Sequence, residues 1–278
     1  MNPKIMWTDI TRRQYRRDHL KYASDLTNEE WDILCPALPG AYRRGRPREV
    51  ELRSVVEAIF YVLEGGCAWR MLPDSFPPRT TVQRYFYAWR NDGTWKRLNH
   101  LLLMRTRERM GREASPSAGV IDSQSAKTTE AGGVRGYDAG KKVKGRKRHI
   151  ITDTNGFLVG AVVHGADIQD RDGAPSVLAS IRAAFPWLRH VFADGGYAGD
   201  KLETPLATMG NWTLEIIKRS DTAQGFVVLP RRWVVERTFA WLGRNRRLAK
   251  DFERGTDTAT AWIFAASVKP LTRRLART

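Results

Sequence analysis

Leu52, Val55, Val56, Ile59, Phe60 and Leu63 recur at i, i+3, i+4, i+7, i+8 and i+11, the spacing of a helix with one apolar face. Gly65-Gly66 ends that stripe. Upstream, Thr27 and Glu30 in LTNEEWDIL have capping-box spacing, in which the hydroxyl accepts from the N3 amide and the Glu reaches back, so a helix starts there. After the proline-rich PDSFPP (73–78), a third helix runs through Val82, Phe86 and Trp89, with Arg79, Gln83, Arg84, Tyr87 and Arg90 on its other side. A fourth follows Gly93 with Trp95, Leu98, Leu101 and Leu102. Short helices with tight joints predict a small all-α, helix-turn-helix-like domain over residues 25–112. The basic positions of the third helix read either as DNA contacts or as an ordinary solvated face.

From about residue 113 the pattern changes to alternating strands and helices. SAGVID reads as a buried strand ending at Asp122. RHIITDT and FLVGAVVHG flank Asn155-Gly156, the strongest short hairpin signal, and predict two antiparallel strands. Residues 171–185 read as helix up to Pro186, RHVFAD as a strand ending at Asp194, WTLEIIK as another strand, and RRWVVERTFAWLGRNRRL (231–248) as a helix. Together these predict an α/β domain over 113–278, a mixed sheet flanked by helices. Between Thr128 and Arg148 the chain is glycine-rich and basic, which predicts a loop over 128–148 that orders on DNA. Residues 1–24 carry Arg12, Arg13, Arg16, Arg17 and Lys21 with little apolar periodicity and read as a basic arm, able to follow a DNA backbone, or as a solvated tail.

Charge sharpens this picture. The 278 residues hold 47 Lys+Arg against 30 Asp+Glu, a net charge of +17, which predicts a polyanionic partner because neutralising phosphates releases counterions. The longest apolar runs, such as VVEAIFYVL (55–63), are too short to span a bilayer, and the basic N-terminus lacks an apolar h-region. Cys35 and Cys67 alone build neither a disulfide framework nor a four-ligand zinc site. The expected setting is a reducing cytoplasm.

Asp122, Asp194 and Glu236 carry the candidate chemistry. The two aspartates end apolar strands, where ligands of open α/β sheets gather. The small polar SQSAK follows the first, and Gly195-Gly196-Tyr197 the second. Turning 231–248 at about 100° per residue puts Val234, Val235, Thr238, Trp241, Leu242 and Leu248 on one packing face. Glu236 lies opposite, with Arg232, Ala240, Gly243 and Arg247. Converging, the three carboxylates suit two magnesium ions, since hard divalent cations take oxygen ligands and a metal pair stabilises both oxygens of a phosphodiester displacement. Asp153 fits a hairpin turn and Glu215 a strand. Asp167, Asp170 and Asp172 read as caps of the next helix, with Asp170 the one that could also lie near the active centre. His149 and His164 read as isolated.

IDSQSAK (121–127), GRKRHIITDTNGFLVGAVVHGADIQD (145–170), ADGGY (193–197) and RRWVVERTFAWLGRNRRLAKDFE (231–253) resemble the bacterial insertion-sequence DDE transposases of the insertion sequence five family. LTNEEWDIL, GRPRE, GGCAWRMLP and TVQRYFYAWR resemble that family's leader region, so the likeness runs through nearly the whole chain. The resemblance implies an RNase H-like catalytic fold and Asp122, Asp194 and Glu236 as the metal-binding triad. It implies two Mg2+ ions per site, with Mn2+ able to substitute. It also implies double-stranded DNA partners, namely terminal inverted repeats and target DNA, and a homodimer or larger assembly on paired ends. Beside the arm and third-helix residues, Lys127, Lys147, Arg148, Tyr197, Arg232, Arg237, Arg244 and Arg247 are the expected DNA contacts. Related transposases carry a Tyr, an Arg and a Lys around the glutamate. Arg232 fits the arginine, but position 229 is Leu and 243 is Gly, which passes the lysine's role to Arg244, Arg246 or Arg247, or leaves it absent. Two other readings stay open at this level: a non-catalytic sequence-specific DNA-binding protein, and an RNase H-like nuclease that recognises DNA structure.

Overall fold

A computed structural model describes residues 8–10, 12, 16–40, 48–209, 212–217 and 232–277. Arg13 and the side chain of Arg232 lie outside the described residues. Helix α1 (Asn28–Leu34) starts with the expected capping box: Thr27 Oγ1 accepts from the Glu30 amide at 3.2 Å and Glu30 accepts from the Thr27 amide at 3.1 Å. Helix α2 (Leu52–Gly65) buries the apolar stripe and stops at Gly66, whose φ of +69° an L side chain rarely adopts. Helices α3 (Arg79–Asn91) and α4 (Thr94–Arg109) are joined by a turn at Asp92-Gly93.

The sheet contains β1 (Ala118–Lys127), β2 (Gly136–Asp138), β3 (Val143–Asp153), β4 (Leu158–Gly165), β5 (His190–Ala193) and β6 (Thr213–Ile216). β3 pairs antiparallel with β1, β2 and β4, while β5 pairs parallel with β1 and β6, so the sheet is mixed as expected and of RNase H-like form. Helices α5 (Asp170–Ile181), α6 (Asp200–Met209), α7 (Arg232–Gly243) and α8 (Thr256–Ala276) flank it. The β3–β4 hairpin turns at Asn155-Gly156, with Gly156 at φ +86°.

Three local expectations change. β1 does not end at Asp122 but continues to Lys127, because residues 123–127 pair with residues 145–149 of β3. The expected loop over 128–148 contains β2 and the start of β3; Lys144, Arg146, Lys147 and Arg148 are strand residues, and the last three are buried, whereas Arg135, Lys141 and Lys142 lie outside the strands and are exposed. The helix over 231–248 ends at Gly243, and a separate 3-10 turn spans Arg246–Leu248.

No amphipathic stripe marks α8 in the sequence, and the reason is its position. Fourteen of its residues are buried, all round the helix. It packs against α1, α2, α3, α4, α7 and β4. Trp262 stacks on Phe86 of α3 at 4.1 Å and lies 5.7 Å from Trp69, so the N-terminal helices and the sheet share one apolar core through α8. An aromatic pair of this kind contributes about 0.5–1.5 kcal/mol beyond its buried area. No helix among the described residues is long and apolar enough to cross a membrane.

Candidate active site

The parallel register of β1 and β5 creates the site. Val120 pairs with Phe192, so Asp122, two residues on along β1, and Asp194, just past the end of β5, come close enough to repel each other electrostatically. Both face the carboxyl end of the parallel pair. Asp194 caps a short 3-10 turn, its Oδ1 accepting from the Gly196 amide at 2.8 Å. Asp122 Oδ1 accepts from the Ser123 amide at 2.7 Å.

A further carboxylate joins them. Asp170 lies in the first turn of α5, beyond the N-cap Gln169. Its Oδ1 accepts from Ser123 Oγ at 2.6 Å and from the buried Lys147 ammonium at 2.9 Å. A Cβ on Gly196 would lie 3.0 Å from Asp194 Oδ1 and 3.7 Å from Asp170 Oδ2, so the two carboxylates flank that glycine. The sequence reads Asp170 as a helix cap that could also lie near the active centre; it is both in the first turn of α5 and, through Ser123 and Lys147, beside Asp122.

Glu236 sits on the exposed side of α7, while Val234, Val235, Thr238, Phe239 and Leu242 are buried. Helix α7 is held against the hairpin by Thr238 Oγ1, which donates to the Gly156 carbonyl at 2.7 Å, and by Arg237, which donates to the Asn155 carbonyl at 2.7 Å. Glu236 lines an open groove of about 610 Å3 together with Ser123, Gln124, Ser125, Lys141, Ala240 and Gly243. Among the described residues, no three His, Cys, Asp or Glu side chains form a preassembled metal cage. Asp122 and Asp194 form a pair, and Glu236 shares a groove with the residue next to Asp122.

Charge balance supports a cation here. Burial pushes the Asp122 carboxyl up to about 6 and the neighbouring Asp194 and Asp170 add to the rise, against the Ser123 amide and Lys141, which favour ionisation. Burial also acts on Asp170, but its bonds from Ser123 and Lys147 outweigh it and hold the carboxyl below the usual range. An all-oxygen donor set with neighbouring carboxylates fits a hard divalent ion.

Behind the carboxylates lies a neutral network. Burial, with His164 beside it, depresses the His149 imidazole to about 3. The Tyr197 hydroxyl and His149 Nε2 share a hydrogen bond of 2.7 Å. Burial and the three aspartates raise the Tyr197 phenol. Gly173 lets α5 pack here, since a Cβ would lie 2.6 Å from His164 and 2.7 Å from His149.

The structure divides the expected DNA contacts. Arg12, Arg16, Arg79, Arg84, Lys127 and Arg244 are exposed, and Gln83 and Arg237 are half-buried. Others are corrected, because their polar groups serve the protein itself. Arg17 makes a bidentate pair with Glu30 at 2.7 and 2.8 Å. Lys147 is held by Asp170, and Tyr197 is fully buried against His149. Arg148 donates to the carbonyls of Leu248 and Lys250, and Arg247 is buried against Glu253. Buried charges are retained where such partners satisfy them, and nothing in the local sequence separates these arginines from surface ones.

The family model described as "Transposase DDE domain" matches residues 113–268. The chain belongs to the transposase DDE domain family. A model of the "Putative transposase of IS4/5 family" matches residues 26–99, the helical part. Over 126 residues the chain is 34% identical to the putative transposase for insertion sequence element IS402 of Burkholderia cepacia, covering 43% of this chain and 59% of that protein. Over 113 residues it is 30% identical to an IS402 uncharacterised 16.2 kDa protein of the same organism, covering 38% of this chain and 76% of that protein. No solved structure matches.

Proposed function

We propose that this protein is a DNA transposase that binds the ends of an insertion sequence, cleaves them by metal-dependent phosphodiester hydrolysis and joins the 3′ ends to target DNA. The observation that carries this is the parallel pairing of β1 with β5, which brings Asp122 together with Asp194 at the end of β5, with Asp122 pushed towards neutrality by its surroundings. Family membership and the net charge of +17 support it.

Asp122, Asp194 and Glu236 would hold two divalent ions, Mg2+ or Mn2+. When bound, such a pair neutralises the attacking and leaving oxygens of an in-line displacement at phosphorus. The chain's own residues then have definable tasks. Ser123 and Lys147 fix Asp170 behind the aspartate pair, keeping one wall of the site rigid. Lys141, exposed and donating to the Ser123 carbonyl at 3.2 Å, stands in the groove to meet a phosphate. Gly195 and Gly243, each with open space where a Cβ would be, let a DNA backbone approach closely. Exposed Arg79, Arg84 and the half-buried Gln83 on α3 form the surface proposed to recognise the ends. Processing two ends together requires at least a dimer on DNA, acting in a bacterial cytoplasm at the nucleoid.

Replacing Asp122 with Asn tests this. Nicking of candidate end DNA in Mg2+ should fall by more than about a hundredfold, the size of effect seen when one preorganised electrostatic contact is removed from a site, with end binding retained. Full nicking by the variant, or end binding by the wild type with no metal-dependent nicking, ends the proposal; the latter favours a non-catalytic DNA-binding protein.

A further inference from the structure

A second cationic feature lies on the other side of α7. A cavity of about 800 Å3 opens between this helix, the β3–β4 turn, α8 and the end of α2. Thr238, Trp241 and Leu242 of α7 face it, whereas Glu236, Ala240 and Gly243 line the catalytic groove. One helix, about 10 Å across, therefore separates the two.

The cavity's charge is unbalanced. Its described lining holds Arg244, Lys269, Arg273, Arg274 and Arg277 against the single carboxylate of Glu64, and Glu64 is already ion-paired with Lys269 and lies 3.7 Å from Arg273. Arg274 lies over the Phe157 ring at 5.3 Å. This stack holds its guanidinium at the cavity at low entropic cost. Cations crowded together around an open space, on a protein of net charge +17, fit an anion that bears several charges in a row.

We infer that this cavity grips the phosphodiester backbone of a DNA duplex other than the one in the catalytic groove, with Arg244, Arg274 and Arg277 on its phosphates. The inference rests on the proposed reading of the chain as a DNA-processing protein but assigns a site which that reading does not use. Because α7 carries Glu236 on one face and this cavity on the other, a duplex held here lies within a helix diameter of the reacting strand, the arrangement that strand joining needs.

The test is a salt titration of binding to a short fluorescent duplex of arbitrary sequence, without metal, using the full chain. Each phosphate contact contributes about −0.9 to the slope of log K against log salt, so Arg244→Gln/Arg274→Gln/Arg277→Gln should make the slope shallower by about 2 to 3. Affinity at about 0.1 M salt should drop by at least about tenfold. All three side chains are exposed, so the thermal midpoint should hold, and the single Arg244→Gln variant should show about one third of the change. An unchanged slope in the triple variant overturns the inference. So does loss of polyglutamate binding with DNA binding intact, which would assign the cavity to an acidic polypeptide. Since no metal is present, the result is independent of nicking. A chain that never nicks DNA yet shows the slope change keeps this site, and one that nicks with an unchanged slope loses it while keeping the catalytic reading.

Discussion

Asp153 and Asp122 belong to the same pair of strands, three rungs apart, and are treated in opposite ways. Asp153, opposite Gly119, is fully buried with both oxygens engaged: Oδ1 accepts from the amides of Asn155 and Phe157 at 2.9 Å each, and Oδ2 from Asn155 Nδ2 at 3.0 Å and from Arg107. Asp122, opposite Ile150, receives the Ser123 amide and looks across at Asp194 and Asp170. The first arrangement is structural, with charge and hydrogen bonds matched inside the protein. The second crowds carboxylates together and drives Asp122 toward its neutral form, which is the signature of a site completed by a ligand.

The sharpest way to break this contrast is at the matched end. Arg107→Met leaves Asp153 buried without its cation, and the expected loss of about 3–5 kcal/mol is read from urea unfolding. A loss below about 1 kcal/mol, the range of a surface pair, would mean that Asp153 is not the structural charge described. Next comes Asp170→Asn. A group that holds and orients ligands from behind typically costs about 10- to 100-fold in metal affinity when removed, measured here as Mn2+ binding by calorimetry on the unreacted protein. Unchanged affinity would show Asp170 to be only a helix-start residue.

The smallest effect belongs to Asp122 in the absence of metal. Its folded pKa of about 6 lies above the ordinary 3.8, so the folded state binds more protons between these values. Stability from this group is therefore full below about pH 4 and is lost as pH rises through about 6. Asp122→Asn should remove that decline and make the metal-free protein more stable at pH 7 by about 1–2 kcal/mol, within the scale set by about 1.4 kcal/mol per pKa unit. Added Mg2+ should stabilise the wild type and not the variant. A variant less stable than wild type in EDTA would remove the contrast.

Much of the local architecture was legible because neighbours in sequence dictate it. The Thr27–Glu30 box, the α2 stripe and the Asn155-Gly156 turn depend on groups within a few residues of each other, and each appears where its pattern lies. Asp122 and Asp194 stood out because each closes an apolar run. Less legible was whatever depends on a distant partner. Lys147 and Arg148 sit in the consecutive basic run GRKRH of β3, which reads as an exposed segment, yet Asp170 and the carbonyls of Leu248 and Lys250 draw them inside. Helix α8, enclosed on every side, shows no polar face to reveal its period, and its internal Pro270 argues against a helix.

The amino-acid order by itself determined the elements, the basic character and the identity of the two strand carboxylates, since these follow from spacing and composition along one stretch of chain. Only the tertiary structure decided which carboxylate joins that pair, which cations are exposed, and that one helix divides the groove at Glu236 from a basic cavity. Burial and charge matching are sums over groups brought together from opposite ends of the polypeptide, and a one-dimensional pattern does not contain those distances.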